Sequence, residues 1–228
     1  MKQHFLHYIN YKLHTNNKQM INDKLYWEKY YEHKKEPFLP SLFAHHVLNK
    51  YVHKDDFLIE LGCGNGRDAV YFAQQGIRIL AVDQCENELN FLSRTYPMQN
   101  LEFLIHDFAD LNMNLKCNHV YSRFSLHSII KEQQDAVLHW VNNVLIDGGY
   151  FHLEVRGKRN EIYMKGKPVQ DEHDAFIYEN HYRRFLDFTE LCATFENAGL
   201  KIIEAIETKG FSPFNGTDET FIRIVVQK

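Results

Sequence analysis

A doubly wound α/β fold is predicted by three observations on this chain of 228 residues. The stretch Phe57–Gly76 reads as strand, glycine turn and helix. An apolar run, Phe57 to Leu61, is followed by Gly62, Gly64 and Gly66, and then by Ala69, Val70, Phe72 and Ala73 at helical spacing. Short apolar runs then alternate with helical patterns to the C-terminus, the order expected of βαβ units and a parallel sheet. The length suits one domain that buries a sizeable core, and no repeat, linker or composition shift divides it.

The glycine stretch points to a ligand through its spacing. A dinucleotide site wants Gly-x-Gly-x-x-Gly/Ala, with a pyrophosphate on the helix N-terminus. Here the third glycine comes one residue early, and Arg67 holds the position where the closing Gly or Ala would stand. Glu60 lies two residues before Gly62, where an anion would meet a carboxylate. Both features suit a ligand with no phosphate and a positive charge. The segment Glu60-Leu-Gly-Cys-Gly-Asn-Gly66 resembles motif I of the class I S-adenosylmethionine (SAM) methyltransferases. That resemblance implies SAM as cofactor, S-adenosylhomocysteine (SAH) as product, and Glu60, Gly62, Gly64 and Gly66 as cofactor-binding residues.

The remaining elements follow in order. Residues 1–24 mix His, Asn and Lys with scattered apolar residues; they lack the apolar run of a signal peptide and are expected to form a loosely attached arm before a single domain over 25–228. Asp23 can cap a helix through Leu25, Trp27, Tyr30 and Tyr31, ended by Pro37 and Pro40, and Ser41 starts a second from Leu42 to Tyr51. These are the expected N-terminal cap helices. Ile77–Asp83 is the second strand, with Asp83 at its end about twenty residues beyond the glycines, where a carboxylate can accept both ribose hydroxyls. A helix over Glu86–Tyr96 stops at Pro97, and Leu101–Asp107 is the third strand. The resemblance assigns an adenine-binding carboxylate and a stacking neighbour here, for which Asp107 and Phe108 match, Asp110 being a possible substitute.

Val120–His127 is the fourth strand and its exit. Ligands of parallel sheets sit at the carboxyl ends of strands, which brings Ser122 to the cofactor and Arg123 and His127 to the methyl acceptor. A helix over Lys131–Ile146 is expected to close on Asp147-Gly-Gly149, and Tyr150–Arg156 is the fifth strand, carrying Glu154 and Arg156. Gly157–Asp187 shows no strong period but interleaves cations with Tyr163, Phe176, Tyr178, Tyr182 and Phe185. It is expected to be an ordered lid whose Tyr182, Arg183 and Arg184 bind substrate. A helix over Phe188–Ala198 and strands over Lys201–Thr208 and Thr220–Gln227 complete the chain.

This order extends the resemblance over residues 26–228. It implies a Rossmann-like sheet of seven strands with an antiparallel last strand. The segments Tyr121–Ile129, Glu154-Val-Arg156, His181-Tyr-Arg-Arg-Phe185 and Lys209-Gly-Phe-Ser-Pro213 look like a bacterial subgroup linked to surface-polysaccharide and other small-molecule methylation. A hydroxyl acceptor needs a base, for which His127 or Glu154 could serve. A phosphate, phosphonate or carboxylate oxygen is already ionised and needs only cationic clamps, and the Arg and Lys of 157–184 favour an anionic acceptor, whether a sugar, sugar nucleotide, phosphate or phosphonate. Two other readings are a detoxifying methyltransferase of the tellurite-resistance or thiopurine type and a non-catalytic SAM-binding regulator. The net charge of −4 gives no pull toward nucleic acid or an anionic membrane, and no run is long and apolar enough to span one. Four cysteines without C-x-x-C spacing suggest neither a zinc site nor a disulfide framework, which fits the cytoplasm, and the scattered histidines imply no metal.

Overall fold

A computed structural model describes residues 24–32, 39–213 and 216–228. The expected arm therefore lies outside the described residues except for Lys24, which opens helix α1 (24–32), and Pro37 lies outside them as well. Helix α2, Leu42–Lys50, starts where the sequence places it, with the Ser41 hydroxyl accepting from the Ala44 N–H at 2.9 Å.

Strands β1 (Phe57–Leu61), β2 (Arg78–Asp83), β3 (Leu101–Ile105), β4 (Cys117–Arg123) and β5 (Leu145–Val155) form a parallel array in the order β3-β2-β1-β4-β5. Strands β9 (Lys201–Thr208) and β10 (Phe221–Gln227) extend it. The last strand, β10, inserts antiparallel between β5 and β9, so β9 is the edge. This is the expected seven-stranded Rossmann-like sheet.

Both faces are covered. Helices α2, α3 (Arg67–Gln74) and α4 (Glu86–Thr95) bury Phe43, Val47, Phe72 and Leu89 against Leu58, Ile79 and Tyr121. Helices α5 (Lys131–Val144) and α6 (Phe188–Asn197) bury Val137, Val141 and Phe195 against Ile59, Val120, Phe151 and Ile224. Successive strand residues thus enter opposite cores, which is why the strands read as near-continuous apolar runs. Each fully buried large side chain, Phe72 for example, contributes about 1.5–3 kcal/mol relative to exposure. Where a polar residue interrupts such a run, it is placed for another reason.

Two segments differ from expectation. Helix α5 ends at Val144, and β5 begins at once with Leu145, so Asp147-Gly-Gly149 is an irregular part of the strand instead of a helix cap. The C-terminus causes this: the Gly148 N–H donates to the Lys228 carbonyl and the Lys228 N–H to that of Gly149, each at 2.9 Å. The segment expected to lack a pattern contains a small antiparallel sheet of β6 (Lys167–Pro168), β7 (Ala175–Tyr178) and β8 (His181–Arg184). Glu179 and Asn180 join β7 to β8 with φ of 52° and 59°. Two positive φ values in a two-residue loop mark the turn type whose twist suits a hairpin, usually signalled by Asn-Gly. A Glu at its first position hides that signal.

Candidate functional site

The cofactor-side residues converge on the loop after β1. The N–H groups of Gly62 and Cys63 both bond the Val82 carbonyl at the end of β2. Asp83 then braces the loop: its Oδ2 accepts from the Gly64 N–H and its Oδ1 from the Cys85 N–H, both at 2.9 Å. Burial pushes the Asp83 carboxyl up, while the backbone donors pull it down.

Gly62 cannot carry a side chain because its Cβ would stand 2.7 Å from the Ser125 Cβ and 3.6 Å from the Phe108 ring. Ser125 in turn shares a 2.6 Å hydrogen bond with Ser122. Phe108 opens a short helical turn whose first N–H groups Asp107 caps, Oδ1 accepting from Ala109 at 2.9 Å. The bare face of Gly64, at φ 53°, is covered by the hydroxyl of Tyr31, which a Cβ there would strike. Tyr31, legible in the sequence only as a helix residue, thus lies against the glycine loop. Its signal was available in the Trp27–Tyr31 spacing, which stacks the two rings 5.8 Å apart on α1. Burial and Asp83 hold its hydroxyl protonated.

Glu60, next to last in β1 beside this loop, is only 4% exposed, and its Oε2 has no hydrogen-bond partner among the described residues. Burial, followed by the neighbouring Asp68, pushes its carboxyl well up. Asp68 itself is fully satisfied: it accepts from the Ser41 N–H and hydroxyl, each at 2.7 Å, and from the Tyr121 hydroxyl at 2.8 Å, tying α2, α3 and β4 together. Glu60 Oε2 is thus a buried carboxyl oxygen with no partner among the described residues, beside a group whose oxygens are all satisfied.

The second group lies at the exits of β4 and β5. Strand register sets Arg123 opposite Glu154 and Glu154 opposite Arg223. Glu154 is completely buried and takes Arg123 Nε at 2.9 Å, Arg223 Nε at 2.9 Å and the Ser212 hydroxyl at 2.9 Å. Arg123 also donates to Ser212 at 3.0 Å, and the Arg223 guanidinium lies 3.8 Å from the Phe211 ring centroid. The segment after β9 is thus latched over this triad. His127, also buried, accepts from the Arg156 backbone N–H through Nδ1 at 3.4 Å, which assigns the imidazole proton to Nε2. Burial, followed by Arg156, Arg183, His181 and Arg184, drives its pKa well below the ordinary histidine value. It is therefore a neutral donor.

The three lid residues divide. Arg184 is buried, donating to the Ile129 carbonyl at 3.2 Å and to Gln134 Oε1 at 2.5 Å, and Tyr182 donates to Glu172 at 2.6 Å. Arg184 fastens the small sheet to α5 and its approach, while the Tyr182 bond closes within the 167–184 segment. Arg183 donates only to the Tyr178 carbonyl, at 3.0 Å, and among the described residues forms no ion pair. Arg156, by contrast, bonds Asn160 at 2.8 Å and Glu219. Helix α1 spans both groups: Tyr26 stacks on His181 of β8 at 4.5 Å, and Tyr31, five residues on, lies over the glycine loop.

Comparison with known proteins accords with this layout. Residues 58–149 match the family described as methyltransferase domain. No curated protein matches the chain. Among solved structures, a SAM-dependent methyltransferase from Methanosarcina mazei superposes with a TM-score of 0.68 at 17% identity, over 80% of this chain and 96% of that one. The 1,6-didemethyltoxoflavin-N1-methyltransferase of Burkholderia thailandensis, with 1,6-didemethyltoxoflavin and SAH bound, gives 0.62 at 18% identity over 81% and 76%. The [4+2]-cyclase SpnF gives 0.63 at 14% identity over 81% and 79%. At such identities the likeness establishes the fold, that of the class I SAM-dependent methyltransferases. The cyclase shows that this fold alone does not dictate the reaction.

Proposed function

We propose that this protein transfers a methyl group from SAM to an oxygen of a small anionic acceptor, a sugar nucleotide, phosphate or phosphonate, in surface-polysaccharide biosynthesis. The observation that carries the acceptor class is Arg183: a half-buried guanidinium that, among the described residues, forms no ion pair and bonds only a backbone carbonyl, beside Arg156 and His127. A cation left without a counter-ion in partial burial is costly unless a ligand supplies one.

The residues present fit the cofactor. Glu60 Oε2 would accept from the ammonium and Asp83 from the ribose hydroxyls, while Gly62 and Gly64, lacking a Cβ, let Ser125 and Tyr31 pack against the loop. Asp107, Phe108 and Ser122 line the same side, with Phe108 as the apolar neighbour of the base. SAM supplies an activated methyl group, so the protein's work is to align the acceptor and exclude water. Tyr31 covers Gly64 of the loop, and Arg183 and Arg156 orient the acceptor oxygen. His127 donates from Nε2 to the acceptor instead of taking a proton, a division of labour that suits an oxygen already ionised. Glu154, saturated by Arg123, Arg223 and Ser212, holds Arg123 and the 211–212 segment in place.

The B. thailandensis enzyme, whose crystals hold SAH and a small heterocycle, supports the cofactor and the size of the acceptor. The test is methyl transfer from labelled SAM to a panel of sugar nucleotides, sugar phosphates and phosphonates, with SAH affinity measured by calorimetry. Arg183→Ala is expected to raise the acceptor KM about tenfold or more and leave SAH affinity unchanged, since a charged hydrogen bond contributes at least ~1.5 kcal/mol. Arg184→Ala should instead lower the melting temperature with little change in KM. Tight SAH binding without turnover of any panel member would favour the regulator reading.

A further inference from the structure

We infer that Phe124 is the positioning residue of the acceptor site, an aromatic platform that sets where Arg156 and His127 stand. The inference rests on the acceptor site proposed above. It starts from an anomaly: Phe124 has φ of 60°, left-handed backbone that a bulky residue seldom adopts. Such outliers persist where the surroundings over-determine them, and they gather at functional sites.

What over-determines this one is visible on every side. The turn ends β4 immediately after Arg123, and the Phe124 N–H donates to the Glu154 carbonyl at 2.8 Å, fixing the backbone to β5. The ring then meets three elements. The Arg123 guanidinium lies 4.0 Å from its centroid and that of Arg156 lies 6.0 Å away. Phe221, at the start of β10, packs against it at 4.7 Å, and Arg156 also lies 5.0 Å from the Phe221 ring. The His127 ring stands 5.9 Å from that of Phe124.

A guanidinium attracted to a ring face keeps its N–H edge free for an oxygen ligand. Arg123 has spent its edge on Glu154 and Ser212, so it serves as a wall. Arg156 uses Nη1 for Asn160 and Glu219, and the Phe124–Phe221 pair holds the rest of its guanidinium next to His127. The same residue, through its backbone N–H, fixes the His127 tautomer. A right-handed or extended backbone at this position would swing the ring away from both groups and leave the Arg156 guanidinium to Asn160, Glu219 and Phe221.

The test separates a platform from a filler. Phe124→Leu keeps a bulky apolar side chain and the same backbone requirement but removes the aromatic face; Phe124→Trp restores the face. With a panel acceptor that the wild-type protein methylates, Phe124→Leu should raise KM about tenfold with kcat within threefold, and Phe124→Trp should stay within threefold of wild type. SAH affinity should be unchanged in both. NMR titration of His127, which faces Arg156, Arg183, Arg184 and His181, should show its midpoint rising in Phe124→Leu as Arg156 drifts, and staying put in Phe124→Trp. A Leu variant equal to wild type in KM and titration overturns the inference, as does equal impairment of Leu and Trp. If the wild-type protein methylates no panel member, the functional reading falls separately. The His127 titration then decides Phe124 alone: a rise in Leu but not in Trp upholds the platform, and no rise in Leu overturns it.

Discussion

Replacing Glu154 with Gln separates two roles that the sequence left together. The variant keeps the shape and one acceptor oxygen but removes the charge that joins Arg123 to Arg223. The Glu154 side chain is 0% exposed and its partners 14% and 9%, so solvent does not screen the loss. Leaving buried charges without their partner costs about 3–5 kcal/mol. For a chain of this size each kcal/mol moves the melting temperature by about 2–4 °C, so the fall should be about 6–20 °C. Differential scanning calorimetry of the two proteins measures it. Urea denaturation should show a lower midpoint with the same slope, as expected when stability changes and the unfolded state does not. Because Ser212 and Arg223 bind the 211–212 segment to this triad, proteolysis near that segment should accelerate too. A Glu154→Gln protein that melts like wild type but turns over more than a hundredfold more slowly would refute the reasoning and restore Glu154 as a general base.

Asp83→Ala should weaken SAH binding by about tenfold or more, the loss of a charged hydrogen bond, and should also loosen the glycine loop through Gly64 and Cys85; calorimetry giving wild-type affinity would move the ribose contact elsewhere. Acid should destabilise the fold through the buried chain in which Asp56 meets His119 at 3.0 Å and His119 meets His152 at 3.1 Å. Burial lowers both histidine pKa values in the folded state, so below the ordinary value near 6.5 the unfolded chain binds the extra protons and stability falls as pH drops. His152→Asn removes one such proton, so denaturation at pH 7 and pH 5.5 should show a pH slope shallower by up to about 1.4 kcal/mol per unit, and equal slopes would exclude His152.

The sequence alone determined those features that depend on chain neighbours. The run of glycines after an apolar strand, the acid two residues before them and the acid ending the next strand are local signals, and they located Glu60, Gly62, Gly64, Gly66 and Asp83 around one loop. Alternating apolar runs determined the sheet, because strands covered on both faces leave no other pattern. The small sheet of β6 to β8 stayed hidden, since strands of two to four residues are too short for a period and its turn lacks the usual glycine. What only the tertiary structure decided was the role of each charged residue. Glu154, Arg183 and Arg184 are equally plausible as site residues along the chain. Cross-strand register saturates Glu154 with two arginines, packing on α5 consumes Arg184, and Arg183 forms no ion pair among the described residues. The work a charge can do depends on which groups already neutralise it, and those partners come from strands and loops tens of residues away.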